Sequence, residues 1–320
     1  MTGSGSNPKG RVDLAGLDVG ERLISAARIR SGRDGTVEVL NAGSVDCPPG
    51  ASDRELAAAI RRLWRQCRMP VRLVCSSLRS PSLLVRRFNQ PRLSADELAP
   101  ALRLQAEEAL QLPPGEIHVD WHLYPPRTDA PGSPEAGRSE GFMVAASASD
   151  VRRHLELLDS AGLCAAVVDV GCAAIANLYL ALRPDGAGEE VVCLINLNEH
   201  SADVAILGSG ARLHPRAIRA RTRSWAEAPE SLVEDIRDEL RYVELKLHEQ
   251  SVRKLVVTGG LPASRDLAEQ LGRAVALPVE CWDPLREPRL RMAHAARAAV
   301  GDEDLGPRFA ASLGLALRGR

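Results

Sequence analysis

The run from Val192, VCLINLNEHSADVAILGSGARLHPRAI, reads as strand, polar bend, strand, glycine turn, strand, and the run opening VDLAGLDVG at Val12 reads the same way. The spacing from Asp18 to Ser31 and Gly32 in the first run equals that from Asn196 to Ser209 and Gly210 in the second, and Glu21 and Glu199 fall in register. Chance rarely fixes a bend and a second turn at one offset, so the chain is expected to hold two lobes descended from one duplicated unit. With 320 residues and 45% hydrophobic content there is enough chain for more than one core.

Between the copies lies a different pattern. The first run is followed by a helix, SDRELAAAIRRLWRQC, with a Ser52/Glu55 capping box, and by the strand VRLVCSS. Residues 83–163 then predict a compact β-α-β-β-α module: LLVRRF, a helix capped by Ser94 with Glu97 and carrying Pro100, EIHVDWHLY, a Pro/Gly-rich loop from Pro125 to Gly141, GFMVAASAS, and a helix stopped at Gly162. Behind the second copy come a long helix with Leu232, Ile236, Leu240 and Val243 on one face, the strand RKLVVTGG, a helix, a short strand LPVECWD and a terminal helix FAASLGLAL. The expected division is a disordered lead over 1–11, a first lobe over 12–82 and 164–190 interrupted by the module, and a second lobe over 191–320. Mixed sheets with helices packed on them suit this order.

Charge and composition exclude several classes. A formal net charge of −1 gives no excess of positive charge for binding nucleic acid through phosphate neutralisation. Seven cysteines, odd in number and without a C-x-x-C pair, read as reduced thiols set mostly in apolar runs. MTGSGSNPKG lacks the apolar core of a signal peptide, and no apolar run reaches the roughly 18 residues of a membrane span, so membrane association is expected through a partner. Scattered histidines and the absence of G-x-x-x-x-G-K-[ST] argue against a zinc site and a P-loop.

The chemistry that remains centres on LDVGERLI. A hairpin bend with a carboxylate and a glycine can serve phosphate: Gly20 lets backbone N–H groups approach an anion, and Asp18 can hold a hydrated Mg²⁺. Asp18 as a plain turn former is the rival reading. Gly259 and Gly260, ending a strand before a helix, either leave room for adenine or simply turn the chain. Asp169 and Gly171 form another D-x-G but read as a helix start. Glu107 and Glu108 read as solvated. The cluster Arg216, Arg219, Arg221 and Arg223 reads as a protected strand edge, with an acidic partner or lipid headgroups as the alternative.

These elements together resemble the actin-like ATPase superfamily, with its two-lobed, ribonuclease H-like α/β fold and inserted module. More closely the chain resembles the PilM family of type IV pilus assembly. The resemblance rests on AGLDVGERLI, CPPG, LSADELAPALRLQAEEALQLPPGEIHVDWHL, LLDSAGLCAAVVDV, LVVTGGLPASRDLAEQL, LPVECWDPL and SLGLALR. It implies a nucleotide site drawn from Asp18, Gly20, Glu21, Ser25, Asn196, Asn198, Asp235, Gly259 and Gly260, with ATP and Mg²⁺ as candidate ligands. It also implies that the chain binds the short cytoplasmic tail of a PilN-like inner-membrane protein, in a groove between first lobe and module near Leu84, Val85 and Arg86. Pilus motor ATPases and a second copy of the chain are further candidate partners, and a cytoplasmic location beside the inner membrane follows.

The departures from the family pattern decide the expected activity. Asn196 and Asn198 stand where a second D-x-G is usual, and an asparagine amide neither holds Mg²⁺ by charge nor takes a proton from water. Ser25 stands where a lysine is common, and the segment before the long helix is short. The chain is therefore expected to be a pseudo-ATPase scaffold. The rivals are a working actin-like ATPase or sugar-kinase-like phosphotransferase, and the cytoplasmic part of a GspL-like type II secretion protein. The last is weakened because no membrane helix follows through Arg320.

Overall fold

In this computed structural model, residues 12–32, 34–125, 137–184, 190–208, 212–220, 225, 227–247, 251–261, 264–301 and 305–319 are described. The lead over 1–11, the turn residues Ser209 and Gly210, and Arg221 and Arg223 fall outside them. The opening run folds into three antiparallel strands, β1 (Ala15–Val19), β2 (Leu23–Ser31) and β3 (Val37–Asp46). Helix α1 (Asp53–Gln66) starts at the expected capping box: the Glu55 carboxylate accepts from the Ser52 N–H at 2.8 Å, and Ser52 Oγ accepts from the Glu55 N–H at 3.4 Å. Such a cap contributes about 1 kcal/mol. The chain then enters β4 (Leu73–Ser77), parallel to β1.

The insertion comprises β5 (Leu84–Pro91), α2 (Ala95–Leu110), β6 (Ile117–Leu123) and β7 (Arg138–Ser147). Its antiparallel sheet runs β5-β7-β6, and Phe88, Leu98, Leu102 and Met143 form its own core. Helix α2 continues through Pro100 from an N-terminus where Glu97 accepts from the Ser94 N–H at 2.9 Å. Helix α3 (Ala148–Ser160) closes the insertion in sequence but not in packing, because Leu157 and Leu158 join Ile60 and Leu63 of α1 in the first-lobe core. It is the crossover from β4 to β8 (Cys164–Asp169), which lies parallel to β4.

After α4 (Gly171–Leu182) the second copy repeats the arrangement. Its strands are β9 (Val192–Leu197), β10 (Ser201–Leu207) and β11 (Leu213–Arg219), followed by α5 (Pro229–Leu247), β12 (Lys254–Gly259), α6 (Ser264–Val275) and β13 (Val279–Cys281). The sheet order β11-β10-β9-β12-β13 reproduces β3-β2-β1-β4-β8, with the same parallel and antiparallel pairings. The chain then crosses back. β14 (Leu290–Met292) pairs parallel with β3, α7 (His294–Val300) packs over that strand, and α8 (Ala310–Ala316) packs under β1. Not everything after residue 191 belongs to the second lobe, because the first sheet still has an open edge and an uncovered face that the C-terminal segment fills.

Helices α4 and α8 are apolar on every side and buried, the pattern of a helix held between other elements. α4 faces the second sheet and α8 the first, and Ile175, Leu178, Phe309 and Leu313 share one cluster with Leu194 and Ala27. Small residues let the backbones meet. A Cβ on Gly314 would lie 2.0 Å from the Ala174 carbonyl oxygen, and one on Gly16 of β1 1.9 Å from the Ser312 carbonyl oxygen.

The module is also fastened to the second lobe. Arg87 of β5 reaches Glu140 of β7 at 3.1 Å and the His214 ring of β11 at 2.6 Å; Arg212 meets the same Glu140 at 2.6 Å. Both guanidinium groups lie over the Tyr124 ring, whose hydroxyl donates to the Leu213 carbonyl. Among the described residues no helix is long and apolar enough to cross a membrane. The thiols of Cys164 and Cys281 are exposed and the other five buried, all free.

Candidate functional site

The two hairpins meet across the cleft between the lobes, and their registers correspond. Asp18 pairs with Ser25 in the first, and Asn196 with Asp203 in the second. The duplicated positions therefore carry acid then serine in one lobe and amide then acid in the other. The second lobe still brings a carboxylate, on β10 rather than β9, and the expectation that the acid was lost is corrected. Asp203 is 5% exposed, and Asn196 Nδ2 donates to it at 3.0 Å. Gly171, at the first position of α4, makes room for it: a Cβ there would stand 2.3 Å from Asp203 Oδ2.

Between these acids lies a residue that sequence reading missed. Arg79 follows β4, and its Nη2 lies 3.0 and 3.1 Å from the two oxygens of Asp18 and 3.2 Å from Asp203 Oδ2. Nη1 donates to Ser201 Oγ at 3.3 Å, and to the Asn198 amide oxygen at 2.9 Å in the amide orientation that satisfies both of its atoms. Ser77 Oγ donates to Asp18 from the other side. Burial alone would lower the guanidinium's pKa, but the charges of Asp18, Asp203 and Glu21 outweigh it and hold Arg79 firmly protonated. Burial raises the Asp203 pKa, an effect the Arg79 charge opposes. One internal cation thus bridges both hairpins, in the manner expected of buried charges that must be paired.

The glycine pair behaves differently from a nucleotide seat. Gly259 has φ +121°, and a Cβ there would lie 2.2 Å from the Leu197 carbonyl oxygen, so glycine is demanded by the approach of β9. The open side of Gly260 is filled by Leu23 of the first hairpin, whose Cδ2 would be 2.5 Å from a Cβ. What is left between Gly20, Glu21, Asn198 and Gly260 is a cavity of about 90 Å³, well below the roughly 300–1,000 Å³ of ordinary ligand sites. A larger space of about 800 Å³ shares Gly260, Leu261 and Arg308 with it and is lined by Thr258, Gly259 and Trp282. The residues present do not fit hydrated Mg²⁺: both carboxylates already hold the Arg79 guanidinium. Among the described residues no three His, Cys, Asp or Glu side chains gather to hold a metal.

The other expected residues scatter. Ser25 is buried and donates to Ser312 Oγ of α8 at 3.1 Å, a structural tie. Asp235 is half-buried on α5 and lines neither cleft cavity. Val85 is 3% exposed within the inter-lobe core, so its side chain does not face a partner; Leu84 is half-buried and Arg86 exposed. Asp169 is held by Arg318, in keeping with the structural reading of that D-x-G. A signal for Asp203 was available, since a two-residue bend at Glu199 and His200 sets it opposite Asn196. No comparable signal marked Arg79.

Behind the site, His154 Nε2 sits 3.1 Å from Ser76 Oγ, and burial lowers the imidazole pKa. The unfolded chain takes up that proton near pH 6.5 while the folded one resists it. This contribution to stability is present above about pH 6.5 and is lost as pH falls through the depressed value. Urea midpoints measured from pH 7 downward should therefore fall less steeply for His154→Gln than for the natural chain.

Duplicated hairpin sheets, a helix pair between them and a cleft lined by both bends define an actin-like ATPase fold. The family profile described as type IV pilus assembly protein PilM matches residues 16–219, and the chain belongs to that family. A solved PilM-PilN type IV pilus biogenesis complex is similar to it, with a TM-score of 0.78 and 22% identity over 97% of this chain and 99% of that one. More distant are the cytoplasmic domain of EpsL from the type II secretion system of Vibrio cholerae (TM-score 0.47, 12% identity, 88% and 90% covered) and an actin-like protein of unknown function from Bacteroides thetaiotaomicron (0.47, 10%, 86% and 93%). No curated protein matches the chain.

Proposed function

We propose that this chain is a scaffold of type IV pilus assembly that holds the cytoplasmic tail of a PilN-like inner-membrane protein and performs no Mg·ATP hydrolysis in its inter-lobe cleft. The observation that carries the reading is Arg79, which stands between the two acids where a metal-bound phosphate would need them. Family membership and the likeness to a PilM-PilN complex support the partner. The chain would sit at the cytoplasmic side of the inner membrane and relay assembly state to the motor ATPases.

A groove of about 280 Å³ at the root of the module suits an extended tail. Leu56, Leu78 and Leu157 give it an apolar floor, and Glu21, Asp53 and Asp150 with Arg79, Arg153 and Arg219 give it a rim of both charges. Leu84 and Arg86 follow shortly after that root. Calorimetry with a synthetic tail peptide should show binding that Leu56→Asp abolishes, and phosphate release from Mg·ATP should stay at the level of buffer alone. Turnover that depends on Asp18 would instead establish the ATPase.

A second reading, nucleotide held without hydrolysis, is favoured by the 800 Å³ space beside Gly259 and Trp282, which Arg265 and Arg308 also line. Titration with ATP in the absence of Mg²⁺ separates it from the first.

A further inference from the structure

From Leu56 to Ala95 the chain contains no aspartate or glutamate, yet arginines recur through it. On α1 three of them are sorted to one side. Arg54, Arg61 and Arg65 fall within a narrow stripe at helical spacing, Arg62 lies to one side of it, and Arg68 and Arg72 follow in the segment between α1 and β4. All six are exposed, while Ala57, Ile60 and Leu63 face the core. Arg61 leans on the Ser160 carbonyl. Among the described residues the other five have no ion pair. The two carboxylates of α1 itself are engaged elsewhere, Glu55 in the cap and Asp53 with Arg153 at 2.8 Å. The exposed acids on the neighbouring elements are Glu156 and Asp159 of α3 and Asp46 of β3, the last 3.8 Å from Arg308.

We propose that this outward face of α1 docks the first lobe directly on an anionic phospholipid surface. The chain as a whole is nearly neutral, so the stripe is a segregation of charge and not a reflection of its total. From Arg54 to Arg65 the stripe extends about 16 Å at 1.5 Å per residue, a length along which several headgroups can be met at once. A stable protein interface is anchored by buried aromatic or aliphatic side chains, and none of the exposed large apolar residues of this chain lies on α1. A lipid surface needs no such anchor, only cationic groups held within a Debye length of it. Contact of this kind would add to tethering by a partner, and it involves no inserted segment.

The test is flotation of the purified full chain with vesicles rich in phosphatidylglycerol and, separately, vesicles of phosphatidylcholine alone. Binding to the first at low salt, its loss at high salt and no binding to the second are expected. Changing Arg54, Arg62, Arg65 and Arg72 together to Gln should lower the partition coefficient by at least about a hundredfold, since each cation near such a surface contributes roughly fivefold. The same four changed to Lys should keep binding, which separates charge from folding, with the thermal midpoint of both variants as control. Absence of binding by the natural chain, retention of binding by the Gln variant, or capture of a polyglutamate peptide in preference to vesicles would each overturn the proposal.

Discussion

Replacing Arg79 by alanine is expected to lower the unfolding free energy by about 3–5 kcal/mol, the cost of stranding buried charge. That is a large part of the roughly 5–15 kcal/mol that holds a folded domain together. The cost arises because Asp18 and Asp203, 7% and 5% exposed, would face each other across the cleft with no cation between them. The Asp203 carboxyl pKa, which burial raises, would then lose the Arg79 charge that opposes the rise. A raised acid contributes stability below its unfolded value of about 3.9 and loses it as pH rises through the folded value. The deficit of Arg79→Ala should accordingly be full at neutral pH and shrink toward pH 4. Adding Asp18→Asn and Asp203→Asn to the variant should restore most of the stability. Mg²⁺ should stabilise Arg79→Ala and leave the natural chain unchanged, because only the variant offers two unpaired acids. Urea unfolding with and without the metal reads all of this, and a pH-independent deficit would refute the pairing.

The second large effect is expected at Gly314. Valine there should cost at least about 3 kcal/mol, at the upper end of overpacking penalties, although it removes a glycine from a helix interior. The methyl groups would meet the carbonyl of Ala174 and not a side chain that can turn aside. The α4–α8 contact would have to open, and with it the shared core of the lobes. Valine at Ala58, exposed on α1, is the control that should change the urea midpoint little. An unchanged midpoint for Gly314→Val would mean that the helices are not in backbone contact.

The parts of this fold legible in the sequence are those with local causes. Capping boxes at Ser52 and Ser94, glycine stops and the offset between the two hairpins all act within a few residues, and each element they predict is present. The role of Arg79 was not legible because its partners come from β1, from β10 and from the bend between β9 and β10, which only folding brings together. The position itself has a counterpart: it stands two residues beyond Ser77, as Gly260 stands two beyond Thr258, which pairs with Asn196. Asp203 lay one step closer to view, since pairing across a short bend would have exposed it, but reading along a single strand finds only Asn196. The C-terminal return to the first sheet was hidden for another reason. β14 is three residues long, and its pairing with β3 is set by the open edge it meets and not by its own pattern.

The fastening of the module to β11 has a mechanical consequence. An insertion rooted in one lobe and bolted to the other by Arg87, Arg212, Glu140 and Tyr124 gives a pulling force two parallel routes into the body. Tension on a tethered ligand at the module's base would be shared by both halves instead of prying them apart. On the proposed scaffold reading, such a part would serve as a bracket, stiff under load.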